Sequence, residues 1–354
     1  MVGAVSNALR NERMVLGESV FRFEDAFARY IGTKHAVSVS SGTAALALSL
    51  IALDVTDREV LTTPLSFIAT ANAVVQAGGI PTFSDVSELD YNMDPNQVKG
   101  HLTKKTKALL PVHLFGHPAD MGELMAIVES RGLKMIEDAA QAHGAVYKGK
   151  KVGSFGDVGC FSFYSTKNMT VGGDGGMVTT DDESIAKSVA KLRDCGRTSR
   201  YVHDVVGFTA RLNTANAAFG LVQLRHLDEW NERRRAIAAI YSKHLNGVAY
   251  VVLPPRGDEN VTPVFHLFVI KCKKRDELAK YLGERGIECG IHYPVPIHLQ
   301  PVYREMYCYD SGAFPISESL SSSLLSLPIF PALPDDDVKF ICEQILDFYR
   351  GCSG

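Results

Sequence analysis

The chain has 354 residues, 46% of them hydrophobic and 22% charged, enough to bury a large core over about two to three domain-sized units. A net charge of −3 without a basic block or an acidic tail removes the electrostatic signature of a nucleic-acid groove or a membrane surface, and leaves small molecules or proteins as partners. Seven cysteines, an odd number with no C-x-x-C pair and no Cys/His cluster at zinc spacing, fit a reducing compartment and argue against a disulfide framework or a metal site.

MVGAVSNALRNERMVLG at the start lacks an apolar core after its charges, and no segment reaches the roughly 18 uninterrupted apolar residues of a membrane span. A cytoplasmic location is expected, with no export signal. From about residue 20 to residue 190, helix-like and strand-like segments alternate, which predicts an α/β sheet with helices on both faces. FEDAFARYIG is an amphipathic helix closed by Gly32, HAVSVS a strand, GTAALALSLIAL an apolar helix, and EVLTTP a strand ending at Pro64. IPTFSDV, KALLPVHLF and KMIEDAA follow as strands, with SFIATANAVVQAG and ADMGELMAIVESRG as helices between them. A long helix, roughly Ala215 to Leu245, gives way near VVLPPRGDEN to a different texture. The division taken is a large domain over 1–230, its first 20 residues a partial N-terminal segment, and a small α+β domain over 231–354. The latter holds VFHLFVIKC as a strand, RDELAKYLGERG as a helix, the loop IHYPVPIHLQP and a terminal helix DDDVKFICEQILDFY.

Three places gather polar residues where strands should end. In SVSSGTAAL a strand runs into Ser40, Ser41, Gly42 and Thr43, and a helix begins at once. Unpaired N–H groups and the positive dipole end suit a phosphate, Gly42 lets an anion approach the backbone and Thr43 adds a hydroxyl; an ordinary N-cap is the alternative. In KMIEDAAQAHG, Glu137 and Asp138 arrive at the carboxyl end of a strand, where open α/β sheets place their ligands, and one of the two should point inward. That carboxylate could bind a metal, act as a base, pair with a protonated ring nitrogen, or cap the next segment. Gln141 and His143 carry weaker signals of the same kind. In GCFSFYSTKN, alternation puts Phe161 and Phe163 on one face and Ser162 and Tyr164 on the other, so Ser162 can share a crevice with Lys167. The glycines of GGDGGM match neither the dinucleotide pattern nor a P-loop, and a solvated lysine is the alternative for Lys167.

Together, a phosphate seat, a carboxylate at a strand end and a lysine after a Ser-bearing strand supply what pyridoxal phosphate requires: an anchor, a counter-charge for the pyridinium nitrogen and an amine for a Schiff base. SSGTAAL, PLSFIATANAV, VHLFGHPADM, IEDAAQAHGA, FSFYSTKN, GGMVTT, RLNTANAAFG, IHYPVPIHLQP and LSLPIF, in that order from about Phe21 onward, resemble the DegT/DnrJ/StrS family of sugar-nucleotide aminotransferases in the aspartate aminotransferase superfamily.

The resemblance implies an α/β fold-type I pyridoxal-phosphate enzyme with a large mixed-sheet domain, a small C-terminal domain, and a homodimer with shared active sites. Pyridoxamine phosphate would be its intermediate form. Lys167 matches the Schiff-base lysine and Asp138 the aspartate on the pyridine nitrogen. Gly42, Thr43 and Ser162 match phosphate contacts, Phe67 the aromatic that stacks on the ring, and Gln141 a residue near the ring and its 3′ oxygen. Asn213 matches an asparagine that reaches the cofactor phosphate of the neighbouring subunit. The implied reaction converts a nucleotide-linked keto sugar to an amino sugar with an amino-acid donor, usually L-glutamate, and the IHYPVPIHLQP loop leans toward members that aminate C3. His292, Tyr293 and His298 on that loop are placed on the sugar side, with packing as the alternative for the tyrosine. A family branch with histidine at the lysine position dehydrates sugars, and Lys167 separates this chain from it. His117 and GGDGG depart modestly from the pattern, and the chain begins later than members usually do, which touches substrate binding more than the cofactor. Other pyridoxal-phosphate reactions on the same scaffold, a lyase or a keto-cyclitol aminotransferase, remain open, as does a non-enzymatic regulator.

Overall fold

The computed structural model describes residues 1–351. Seven strands form the central sheet: β1 (His35–Val39), β2 (Glu59–Thr62), β3 (Ile80–Phe83), β4 (Thr106–Leu109), β5 (Lys134–Asp138), β8 (Val158–Ser162) and β9 (Gly176–Thr180), with the two-residue strands β6 (Val146–Tyr147) and β7 (Lys150–Lys151) lying outside it. Their order is β1-β9-β8-β5-β4-β2-β3, and β9 alone runs against the other six. The sheet is therefore parallel-rich and buried on both faces, as βαβ crossovers require.

Alternation along β8 shows how the two faces are filled. Val158 and Cys160 join Leu46, Leu50 and Val178 beneath the helix Gly42–Ala52, while Phe161 and the following Phe163 pack with Phe23, Phe27 and Met177 on the opposite side. The helix Glu18–Ile31 brings Phe23 and Phe27 to that second face because they sit four residues apart on one stripe. It ends at Gly32 in the left-handed region, φ 94°, as its sequence suggests.

C-terminal to the sheet, β10 (Val251–Val252), β12 (Phe268–Cys272) and β13 (Leu324–Leu327) make an antiparallel sheet, and β11 (Val261–Thr262) pairs with β6. Helices Leu227–Leu245 and Asp335–Gly351 cover a second core that includes Tyr241, Phe268, Leu325 and Ile345. Tyr241 stacks on Phe268 at 4.7 Å and donates its hydroxyl to the Pro328 carbonyl.

The long helix expected over Ala215–Leu245 is two helices, Thr214–Leu224 and Leu227–Leu245, parted at Arg225 and His226. The expected strand KALLPVHLF stops at Leu109, since Pro111 has no N–H to give and Phe115 takes a positive φ of 58° in a short 3-10 turn. At the start of the chain, Val2–Asn11 is a helix, where the sequence had offered only a partial segment. Among the described residues no helix is long and apolar enough to cross a membrane, and no group of His, Cys, Asp or Glu could hold a metal ion.

Candidate active site

Register alone assembles the floor of the site. Gly176 of β9 faces Val39 of β1 on one side and Ser162 of β8 on the other, and Cys160 of β8 faces Asp138 of β5. Because β9 is antiparallel, its first residue lies at the carboxyl end of the other strands. The turn Ser40–Gly42, Gly176, Ser162 and Asp138 thus line one edge of the sheet.

Close packing there leaves no room for a side chain at either glycine. A Cβ on Gly42 would come within 2.7 Å of Ser162 Cβ, and one on Gly176 within 2.3 Å of the Ser41 carbonyl oxygen. Ser41 caps the helix Gly42–Ala52 by accepting Ala44 N–H at 3.0 Å, so the N-cap reading of this turn holds. The cap uses the Ala44 amide, and Ala45 N–H goes to the Ser41 carbonyl, so the Gly42 and Thr43 end of the helix stands beside Ser162.

The adjacent carboxylates Glu137 and Asp138 part to opposite sides of β5. Glu137 is fully buried and accepts from Gly153, Phe155 and Gly156 N–H and from His113 Nε2, so its negative charge is spent inside the protein. His113 Nδ1 accepts Ala119 N–H at 3.0 Å, which fixes the proton on Nε2. Asp138 turns to the other side, where Thr70 Oγ1 donates to Oδ2 at 2.8 Å and Ala140 N–H to Oδ1 at 3.2 Å. Burial pushes its acidity up, while these two hydrogen bonds and the charge of Lys167 pull it back down.

Lys167 follows β8 on a turn closed by its N–H to the Tyr164 carbonyl. Burial lowers its amine to about 8, opposed by the attraction of Asp138. His143, His266 and His292 are all lowered, first by burial and next by the positive charge of Lys167, His143 to about 3. One amine therefore stands among a buried carboxylate and three neutral imidazoles.

Phe67 is 55% exposed and its ring lies 5.9 Å from that of Tyr293. Gln141 links the two flanks of the crevice: Oε1 accepts Phe115 N–H at 2.7 Å, and Nε2 donates to the Tyr293 hydroxyl at 3.1 Å. Tyr293, whose phenol burial pushes up, and His292, bonded to Ser326 at 2.9 Å, belong to this cluster. His298 stands elsewhere: it is fully enclosed, pairs with Glu318 at 3.1 Å and packs on Phe314, and none of its contacts involves Asp138, Lys167 or Tyr293. Asn213 is exposed and caps the helix Thr214–Leu224 through Asn216 N–H. Sequence reasoning missed Thr70; its one signal was its place three residues after Phe67, where a helix turn returns it to the same side. It also missed His266, which reads as part of a strand in VFHLFVIKC although the strand begins only at Phe268.

The model of the DegT/DnrJ/EryC1/StrS aminotransferase family matches residues 1–346. A pleiotropic regulatory protein of Geobacillus stearothermophilus is 40% identical over 348 residues, covering 98% of this chain and 93% of its own. The dTDP-3-amino-3,4,6-trideoxy-alpha-D-glucose transaminase of Streptomyces venezuelae is 42% identical over 346 residues, covering 98% and 91%. Among solved structures, that of S. venezuelae DesV in complex with a ketimine intermediate matches with a TM-score of 0.95 at 40% identity, covering 98% of this chain and 93% of that one. The fold is fold-type I, as the family resemblance implied. Structures of this family hold pyridoxal or pyridoxamine phosphate. The residues here fit that group: a helix terminus walled by Gly42 and Ser162, a buried carboxylate already held by Thr70, and an amine of lowered basicity that this carboxylate attracts.

Proposed function

Since the chain belongs to the DegT/DnrJ/EryC1/StrS aminotransferase family and is a pyridoxal-phosphate-dependent transaminase, we propose that it moves an amino group from L-glutamate to the ketone of a nucleotide-linked sugar. The observation that carries the reading is the placement of Asp138 and Lys167 at one sheet edge, with Glu137 turned away and fully bonded.

Pyridoxal phosphate, when bound, supplies a carbonyl to take up the amino group and a ring to accept electron density from the donor's α-carbon. The chain's residues supply the rest. Gly42, Thr43 and Ser162 would hold the phosphate, Phe67 would cover the ring, Gln141 would serve its 3′ oxygen, and Asp138 would keep a proton on the ring nitrogen by pairing its charge. Lys167 Nζ, with basicity lowered by burial, would take the proton from the donor's α-carbon in the first half-reaction and would give a proton to the sugar carbon in the second. The two substrates take turns at one amine, which is a ping-pong order. His292 and Tyr293 border the space left for the sugar, whereas the partners of His298 assign it to packing. We take the enzyme to be cytoplasmic and a homodimer with shared sites, built from a large domain over 1–230 and a small one over 231–354, the division falling within the helix Leu227–Leu245.

Position C3 of the sugar is favoured by the likeness of the IHYPVPIHLQP loop to C3 members and by the 3-amino product in the name of the Streptomyces relative. Mass spectrometry of products from L-glutamate and a panel of nucleotide-linked 3-keto and 4-keto sugars tests this, with a 3-amino sugar expected. Amination of keto-cyclitols alone would replace the reading with another transaminase activity. Bound cofactor without turnover of any ketone would favour a regulatory role, which the name of the Geobacillus relative brings into play.

A further inference from the structure

Asn168, the neighbour of Lys167, is buried and bonded on all sides. Its Nδ2 donates to Asn231 Oδ1 at 2.8 Å and to the Val264 carbonyl at 3.1 Å, which uses both amide protons, while Oδ1 meets His266 Nδ1 at 3.2 Å. An amide oxygen can only accept, so His266 carries its proton on Nδ1. Asn231 in turn donates from Nδ2 to the His143 carbonyl at 2.8 Å. Arg234, three residues on and therefore on the same helix face, is buried without a carboxylate among its hydrogen-bond partners; it donates to the carbonyls of Phe265, His266 and Ile329 and so holds the His266 backbone. These bonds tie the turn that bears Lys167 to the helix Leu227–Leu245 and to the segment before β12, none of which supplies a ligand to the cofactor in the reading above.

We propose that Asn168, clamped by Asn231 and His266, is the positioning residue that holds the half-buried Lys167 amine in place on the turn after β8. The proposal rests on Lys167 being the reacting amine. A lysine side chain has four rotatable bonds and a strongly hydrated head, so burial of its amine depends on a backbone turn that does not move. Three hydrogen bonds to one neighbouring amide supply that rigidity. Without them the turn can shift toward water, the amine regains hydration and its basicity rises toward that of an ordinary lysine.

The test reads Lys167 in the full chain freed of cofactor, by competitive acetylation with acetic anhydride across pH 6 to 11 (~0.5-unit steps) and mass spectrometry of the Lys167 peptide. Asn168→Ala is expected to raise the apparent pKa of Lys167 by about one unit or more. His266→Leu should shift it the same way, whereas His266→Asn, whose Nδ2 can stand where His266 Nδ1 donates, should restore the wild-type value. Because the readout needs neither cofactor nor sugar, its failure is distinct from failure of the proposed reaction. An unchanged Lys167 profile in Asn168→Ala, with or without a lower melting temperature, would reduce the clamp to packing. If Asn168→Ala does not fold, the His266 pair decides: equal profiles for Leu and Asn overturn the proposal.

Discussion

Thr70 donates its hydroxyl proton to Asp138 Oδ2 at 2.8 Å. Its own oxygen then lies 2.9 Å from Ser66 Oγ and can only accept there, so Ser66 donates to Thr70 and the pair forms a short relay ending on the carboxylate. Both this bond and that from Ala140 favour the ionised acid against the burial that disfavours it. Thr70→Val keeps the shape and removes the bond, worth about 1.5–3 kcal/mol for a charged acceptor. The half-reaction with glutamate should slow by about 10- to 100-fold in stopped-flow single turnovers. Asp138→Asn, which removes the charge itself, should slow it by several orders of magnitude with cofactor still bound. A near wild-type rate for Asp138→Asn would place the counter-charge elsewhere.

Glu137 offers the contrasting outcome. Its two oxygens take three backbone N–H groups and His113, of which Gly153 N–H and His113 are buried and Phe155 and Gly156 N–H half-buried. In Glu137→Gln an amide NH2 replaces one acceptor and faces donors, leaving at least one buried donor unpaired at about 1–3 kcal/mol. Urea unfolding should show that loss in full, while the single-turnover rate of the folded fraction should stay within about threefold of wild type.

Borohydride reduction of the yellow holoenzyme should fix the cofactor to the peptide containing Lys167. Recovery of the label on Lys148, Lys150 or Lys151, which stand over the aromatic rings of Tyr147, Phe155 and Tyr30, would contradict the site.

His143 sets an acid limit. It is buried between Phe161 and Phe163, ring centroids 5.4 and 5.8 Å away, and its basicity is lowered to about 3, chiefly by burial. The unfolded chain takes up this proton near pH 6.5 and the folded chain only near 3, so folding stability drops as the pH is lowered through that window. The full effect is of order several kcal/mol. His143→Phe should flatten the slope of unfolding free energy between pH 6.5 and 4; an unchanged slope would move the acid sensitivity to other groups.

How far the sequence carried can be judged from particular residues. Phe161, Phe163 and Ser162 alternate in the structure as they do in the string, because strand period is a local property. The resemblance covered Asp138 and Lys167, and the period-2 rule already required Glu137 and Asp138 to part. Which of the two faces the crevice was not legible, since it depends on donors from Gly153, Phe155 and Gly156 some 16 to 19 residues later. Likewise the break at Arg225 and His226 leaves no proline or glycine signal, and the Asn168 clamp joins residues 63 and 98 positions apart. His298 looked like Tyr293 in the loop, yet Glu318 and Phe314, supplied by later chain, draw it into a different cluster.

Asn213 caps its helix through Asn216 N–H and is nonetheless exposed, beside Val15, whose backbone bridges it and which is itself 48% exposed. A cap needs only an oxygen acceptor, so Asn213→Asp preserves the helix while placing a negative charge where a phosphate from another subunit would lie. If Asn213 completes the partner's site, Asn213→Asp should be dimeric and poorly active, as should Lys167→Ala. In a mixed dimer one site then carries both defects and the other neither. Random reassortment makes half the dimers mixed, each with one intact site, so activity should recover to roughly a quarter of wild type. Co-expression with two affinity tags isolates the mixed dimer, in which half of wild-type activity is expected. Should isolated mixed dimers of folded chains show no intact site, Asn213 acts on its own subunit's cofactor and the shared-site arrangement fails.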